Sequence, residues 1–185
     1  TLEGFSEVIN SPFVENQSSN CFTVDNPLDS NRNSMRTSLR ESLINNLLYN
    51  ERRQKDSVKF FEISDVYCVN DKKLVRQKKL GIIASGRIGN NYKEFSQQIN
   101  KNYLNDILVS KLSVSDSIIE NLSRENLDTK IKTPIFYTEI DLKEINGLEA
   151  DSDLLKDIKK EIRYKRISEF PTISRDISFL IKNEN

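Results

Sequence analysis

One stretch limits what this chain can fold into: between Ser34 and Val69 a helical apolar period gives way, within a few residues, to a strand-like one. Leu39, Leu43, Leu47 and Leu48, with Ile44, recur at 3.6-residue spacing and predict an amphipathic helix from about Ser34 to Arg53. Ser38 and Glu41 have the S-x-x-E spacing of a capping box, with Ser34 as an alternative cap, and Arg52 and Arg53 stand where the helix dipole favours cations. Val58 to Val69 is rich in β-branched and aromatic residues and predicts a strand. After a polar turn at Asn70-Asp71-Lys72-Lys73, the run Leu80-Gly81-Ile82-Ile83-Ala84 is continuously apolar, as a strand at a sheet centre requires. The two strands read as an antiparallel hairpin.

The remaining segments extend this pattern. Gly4 to Val14 reads as extended, broken at Pro12, and Asn16 to Asn33 as an Asn/Ser/Asp-rich loop in which Phe22, Val24 and Leu28 pin a short strand. Gly86 to Asn91 is a loop. Tyr103, Leu104, Ile107, Leu108 and Leu112 mark a second amphipathic helix. Ile118, Ile119 and Leu122 suggest a short helix, Pro134 to Leu142 a strand, and Leu154, Leu155 and Ile158 a short helix or turn. A closing alternation of Ile177, Phe179 and Ile181 predicts a last strand. The order is that of an α+β fold, an antiparallel sheet flanked by helices.

Composition removes several kinds of chemistry. The chain has no histidine, so the commonest general base near neutral pH, and any Ser-His-Asp or Cys-His mechanism within it, are absent. Two cysteines, Cys21 and Cys68, make neither a disulfide framework nor a zinc site, and the expected state is a free thiol in the cytosol. Five glycines form no GxGxxG or GxxxxGK[ST] phosphate cradle. Acidic and basic residues balance at 28 each, a poor start for bulk capture of nucleic acid, and no apolar run reaches the ~18 residues of a membrane helix. The chain opens at Thr1-Leu2-Glu3 without a methionine and stops after a strand-like run, so it is read as a piece of a longer polypeptide.

Several segments, in order, resemble one family. These are Gly4-Phe5-Ser6-Glu7-Val8-Ile9, then Asn26-Pro27-Leu28 followed by Met35-Arg36-Thr37-Ser38-Leu39, then Phe61-Glu62-Ile63 with Val66-Tyr67, and Ile135-Phe136-Tyr137-Thr138-Glu139-Ile140-Asp141-Leu142. Together they resemble the catalytic-like module in the β subunit of bacterial phenylalanyl-tRNA synthetase, a module built like a class II synthetase core that does not perform the chemistry. Tyr164-Lys165 to Phe179, with Phe170-Pro171 and Arg175-Asp176, resembles the junction into a ferredoxin-like anticodon-binding domain. The resemblance implies a catalytic-like module over 1–165 and a linker with the first strand of the next domain over 166–185. The chain departs from the family in its short Ser113–Thr133 segment, which lacks a Gly-rich hairpin and a Leu-His-Pro, and at Ser64, where glycine is usual.

Laid on the class II motif 2 pattern, the second strand puts Cys68 where an active enzyme has its phosphate-gripping arginine and Asn70 where it has a glutamate. A neutral thiol cannot make the bidentate, charge-assisted contact of a guanidinium. The resemblance therefore implies no catalytic residue, cofactor or metal in this chain; ATP and Mg²⁺ serve the parent phenylalanine–tRNA ligase. It also implies an α-subunit partner in an α₂β₂ heterotetramer, tRNA(Phe) through the parent enzyme, no membrane, and a cytoplasmic location. Gly4, Phe5 and Pro12 match the interface-forming motif 1 region, and Arg163, Lys165 and Arg166 form a basic cluster that a tRNA could touch, or a solvated linker face. Arg36 is expected to pin its loop through an ion pair, a phosphate contact being the alternative. Cys68 is expected to be a half-buried structural thiol. Glu62 and Glu139 are expected to pair with cations rather than act as acid and base. Two rivals remain, an independent class II synthetase paralogue and a free-standing tRNA-binding module.

Overall fold

The computed structural model describes residues 4–15, 21–70, 73–89, 96–114, 118–145, 166, 169–170, 173, 175 and 177–179. The chain divides into two compact units, Thr1–Leu148 and Glu149–Asn185. In the first unit the elements are β1 (Ser6–Glu7), β2 (Phe13–Val14), β3 (Ser34–Met35), α1 (Arg40–Glu51), β4 (Ser57–Asn70), β5 (Lys73–Gly86), α2 (Lys101–Leu112), β6 (Glu120–Leu122) and β7 (Ile135–Asp141). Five strands form one sheet in the order β1-β4-β5-β7-β6, and β2 pairs with β3 as a separate ribbon.

The predicted hairpin is the spine of the sheet. β4 and β5 pair antiparallel from Ser57↔Gly86 to Asn70↔Lys73. β5 also pairs with β7, so it is interior, and its alternate residues bury on opposite faces. Leu80, Ile82 and Ala84 join α2's Leu104 and Leu108 and β7's Phe136 in one cluster. Ile83 joins Leu39 at the cap of α1, Leu43 and Leu47 within α1, and Val58 and Ile135 in the other. The continuous apolar run of β5 is thus the mark of a strand covered on both sides, by α1 on one face and α2 on the other. Two glycines fit this frame. Gly86 closes the hairpin base at φ +96°, where an added Cβ would lie 2.0 Å from the Asp56 carbonyl oxygen. Gly81 lets α1 come close, since a Cβ there would meet Leu43 Cδ1 at 2.8 Å and Leu39 Cβ at 3.0 Å.

Four expectations need correction. The sheet is mixed rather than antiparallel throughout, because β1 runs parallel to β4. The first helix begins at Arg40, since Ser34 and Met35 are committed to β3, where Ser34 is fully buried. The capping box does not form: Leu39 occupies the cap position, its N–H is taken by Glu139 from β7, and Ser38 Oγ accepts from the Arg40 N–H. A carboxylate supplied by the sheet has displaced the local cap. The short helix expected at Ile118–Leu122 is instead edge strand β6, held by Leu122↔Ile135 and Glu120↔Tyr137 pairing.

α2 is capped as its sequence allows, with the Asn100 side chain accepting from the Tyr103 N–H. Leu154, Leu155, Ile158 and Ile181 lie outside the described residues. In the second unit Ile177 and Phe179 are exposed and adopt no regular secondary structure.

Candidate functional site

Strand alternation brings two carboxylates of the sheet to one face. Glu62 on β4 and Glu139 on β7 both pair in register with Gly81 on β5, so they flank that glycine on the α1 side. Two strand spacings put their backbones roughly 10 Å apart. Cys68 shares this face by alternation with Glu62 and Val66. These are the positions at which the sequence comparison would look for chemistry.

Each carboxylate is already engaged. Glu62 Oε1 lies 2.8 Å from Arg36 Nη1, with both side chains 2 % exposed. Asn10 donates to Glu62 through its backbone N–H at 3.3 Å and its side-chain amide at 2.7 Å. The contact between Arg36 Nη1 and Glu62 is one of charge rather than an aligned hydrogen bond, and neither Nη atom has a hydrogen-bond partner. Arg36 Nε donates to the Asp65 carbonyl, while the Arg36 backbone joins Pro12 O and Tyr67 N at 2.9 Å each. Arg36 therefore pins the N-terminal loop to β4, as expected from its place in the sequence.

Glu139 accepts from Lys79 Nζ at 2.8 Å, Ser38 Oγ at 2.7 Å, the Leu39 N–H at 3.0 Å and the Tyr137 hydroxyl. Burial works to raise its pKa, but these donors outweigh burial and hold the carboxyl below the usual 4.5. Burial first, and then the Glu139 carboxylate, push the Tyr137 phenol well above its ordinary 10.0. With the phenol pushed up and the carboxyl held down, the two form a hydrogen-bonded cap for α1, not an acid–base pair near neutral pH.

Between Glu62 and Glu139 the space above Gly81 is taken by Leu39 and Leu43. The other end of α1 is fastened similarly. Arg124 holds Glu51 in a bidentate pair at 2.8 and 3.0 Å and donates to Ser85 Oγ at 2.9 Å. The sequence reading missed the Glu51 pair, although a signal was there: Glu51 continues the 39, 43, 47 spacing, and a carboxylate on a leucine stripe demands a buried cation. Among the partners of Glu139, Tyr137 shares its strand face two residues away, whereas Lys79 and Ser38 come from separate segments and had no such signal.

Of the residues expected at an interface, Gly4 is exposed at φ +74°, Phe5 is buried in the α2-side core, and Pro12 is half-buried with its carbonyl accepting from Arg36. The Phe5 ring is thus committed to the chain's own interior. Apolar surface lies nearby in sequence instead: Ile9, Phe13, Phe22 and Leu28 are exposed, Phe13 pairs in register with Met35, and the Phe22 carbonyl accepts from the Met35 N–H. Cys68 is a half-buried free thiol and Asn70 is exposed. In the second unit Arg166 is exposed and pairs with Glu169, while Arg163 and Lys165 lie outside the described residues. Among the described residues no group of His, Cys, Asp and Glu could hold a metal ion, and no helix is long and apolar enough to cross a membrane.

A mixed sheet covered by one helix on each face is an arrangement shared with a tRNA synthetase. A pyrrolysyl tRNA synthetase from Desulfitobacterium hafniense, PylSc, superposes with a TM-score of 0.51 at 14 % identity, over 77 % of this chain and 62 % of that one. Residues 1–125 match the family described as phenylalanyl tRNA synthetase beta chain CLM domain, and the chain belongs to that family. Curated relatives agree. It is 27 % identical to the phenylalanine–tRNA ligase beta subunit of Fusobacterium nucleatum and 26 % identical to that of Francisella tularensis, over 98 % and 96 % of its own length. It spans only 27 % and 26 % of those subunits. Both alignments run to 216 positions, more than the 185 residues present, so the relatives carry stretches with no counterpart here.

Proposed function

We propose that this chain is a non-catalytic core of a phenylalanine–tRNA ligase beta subunit, acting as scaffold and subunit interface. The observation that carries this reading is the filled space over Gly81: Leu39 and Leu43 occupy the sheet face between Glu62 and Glu139, and both carboxylates are neutralised from within. ATP with Mg²⁺ does not fit these residues. Cys68 stands at the motif 2 arginine position, Asn70 at the glutamate, and the interior carboxylates already hold Arg36 and Lys79.

In this reading the parent enzyme charges tRNA(Phe) with phenylalanine in the cytoplasm, and its α subunit carries the active site in an α₂β₂ assembly. The exposed Ile9, Phe13, Phe22 and Leu28, near Gly4 and Pro12, supply apolar surface for that partner. The tail from residue 166 leads toward an anticodon-binding domain, and Arg163, Lys165 and Arg166 are candidate tRNA contacts. Gel filtration with an α subunit is the test. Co-elution is expected, reduced when Ile9 and Phe13 are changed to Asp. Independent elution of wild-type chain and α subunit at micromolar concentration would favour a solitary enzyme or RNA binder.

A further inference from the structure

The face opposite α1 carries a feature the scaffold role does not use. Between α2 and the sheet lies a cleft of about 270 Å³ whose walls include Phe5, Phe61, Ile82 and Leu104. Its apolar lining contains one buried hydroxyl. Thr138 pairs in register with Ile82, so both side chains face this side of the sheet. Thr138 is 1 % exposed, and its Oγ1 has no hydrogen-bond partner.

We propose that this cleft binds a small, uncharged, largely apolar molecule that carries one hydrogen-bonding group, which Thr138 Oγ1 meets. A buried hydroxyl without a partner is costly, and a ligand that supplies one gains that hydrogen bond. Water fills such a space poorly, since it needs two to four polar partners and Thr138 offers one. The volume suits a molecule built on a single ring, and the aromatic walls of Phe5 and Phe61 suit a flat one. Lys111, the charged residue of the lining, already has an interaction of its own, so a charged ligand is disfavoured, because entering this lining would strip its hydration without a free counter-ion.

Benzyl alcohol and toluene, matched in size but differing by a hydroxyl, are suitable probes. Titration of the methyl-labelled chain, followed by NMR, is expected to give saturable shifts at Ile82 and Leu104 for both compounds, with benzyl alcohol the tighter. Thr138→Val keeps the shape and removes only the unpartnered hydroxyl, so it is expected to fold with an equal or higher Tm. It should weaken benzyl alcohol about fivefold, the equivalent of one hydrogen bond, and leave toluene within about twofold. Absence of saturable shifts for both probes overturns the proposal. So does a Thr138→Val chain that binds benzyl alcohol as tightly as wild type.

Discussion

The two faces of the sheet are built on opposite plans. Under α1 the interface is leucine ringed by buried charge: Arg36–Glu62 and Lys79–Glu139 at one end, Arg124–Glu51 at the other. Under α2 it is mainly apolar, with an open cleft lined also by Thr138 and Lys111, and with Lys59 donating to Tyr103 of α2. The first face is closed and internally satisfied, although it gathers the residue types that a reactive site would need. The second has space, but no carboxylate lines it. A face is therefore judged by what its polar groups already hold, and its inventory of carboxylates is a poor guide alone.

Breaking the buried charge should have the largest effect. Arg36→Met leaves Glu62 buried without its cation, and a loss of roughly 3–5 kcal/mol is expected in urea unfolding. Arg36→Met with Glu62→Leu removes both charges and should recover much of that loss; an equally unstable double variant would mean that the pair is not the reason. Gly81→Ala tests the close approach of α1. Its Cβ would press on Leu39 and Leu43, and a cost of about 1–3 kcal/mol is expected. A neutral result there would mean that α1 moves freely over the sheet and that the space is not held shut.

The pH dependence comes next. Glu139 has a depressed folded pKa, so the unfolded chain takes up the proton first as pH falls. Its contribution to stability is present above about pH 4.5 and is lost as the pH drops through that value toward the folded pKa. Melting curves from pH 7 to pH 3 should show this limb, and Glu139→Gln should flatten it while lowering stability at pH 7. On the other face Thr138→Val should be smallest and of opposite sign, a gain of up to about 1 kcal/mol from removing an unpartnered hydroxyl.

Much of the architecture was legible because periodicity reports burial directly. The leucines of α1 and the run Leu80–Ala84 announced a helix and a central strand, and both are present, the helix with a later start than expected. Arg36 was legible as a pin because it follows a long loop. Features that depend on distant partners were not. The helix start moved because Ser34 was needed in β3 and Glu139 supplied the cap from about a hundred residues away. Ile119 and Leu122 have no distinguishing period in so short a run, and pairing with Ile135 decided in favour of a strand. The parallel placement of β1 rests on two residues, too few for any pattern. The closed state of the Glu62–Glu139 face is a packing fact, carried by a glycine that looked like any other residue of an apolar run.

The central claim, that this face is filled and bound to itself, is tested most directly by melting the chain with and without millimolar ATP and Mg²⁺. An unchanged Tm is expected, since no site remains for the nucleotide over Gly81. A rise of several degrees would require tight binding to the folded state and would contradict the account.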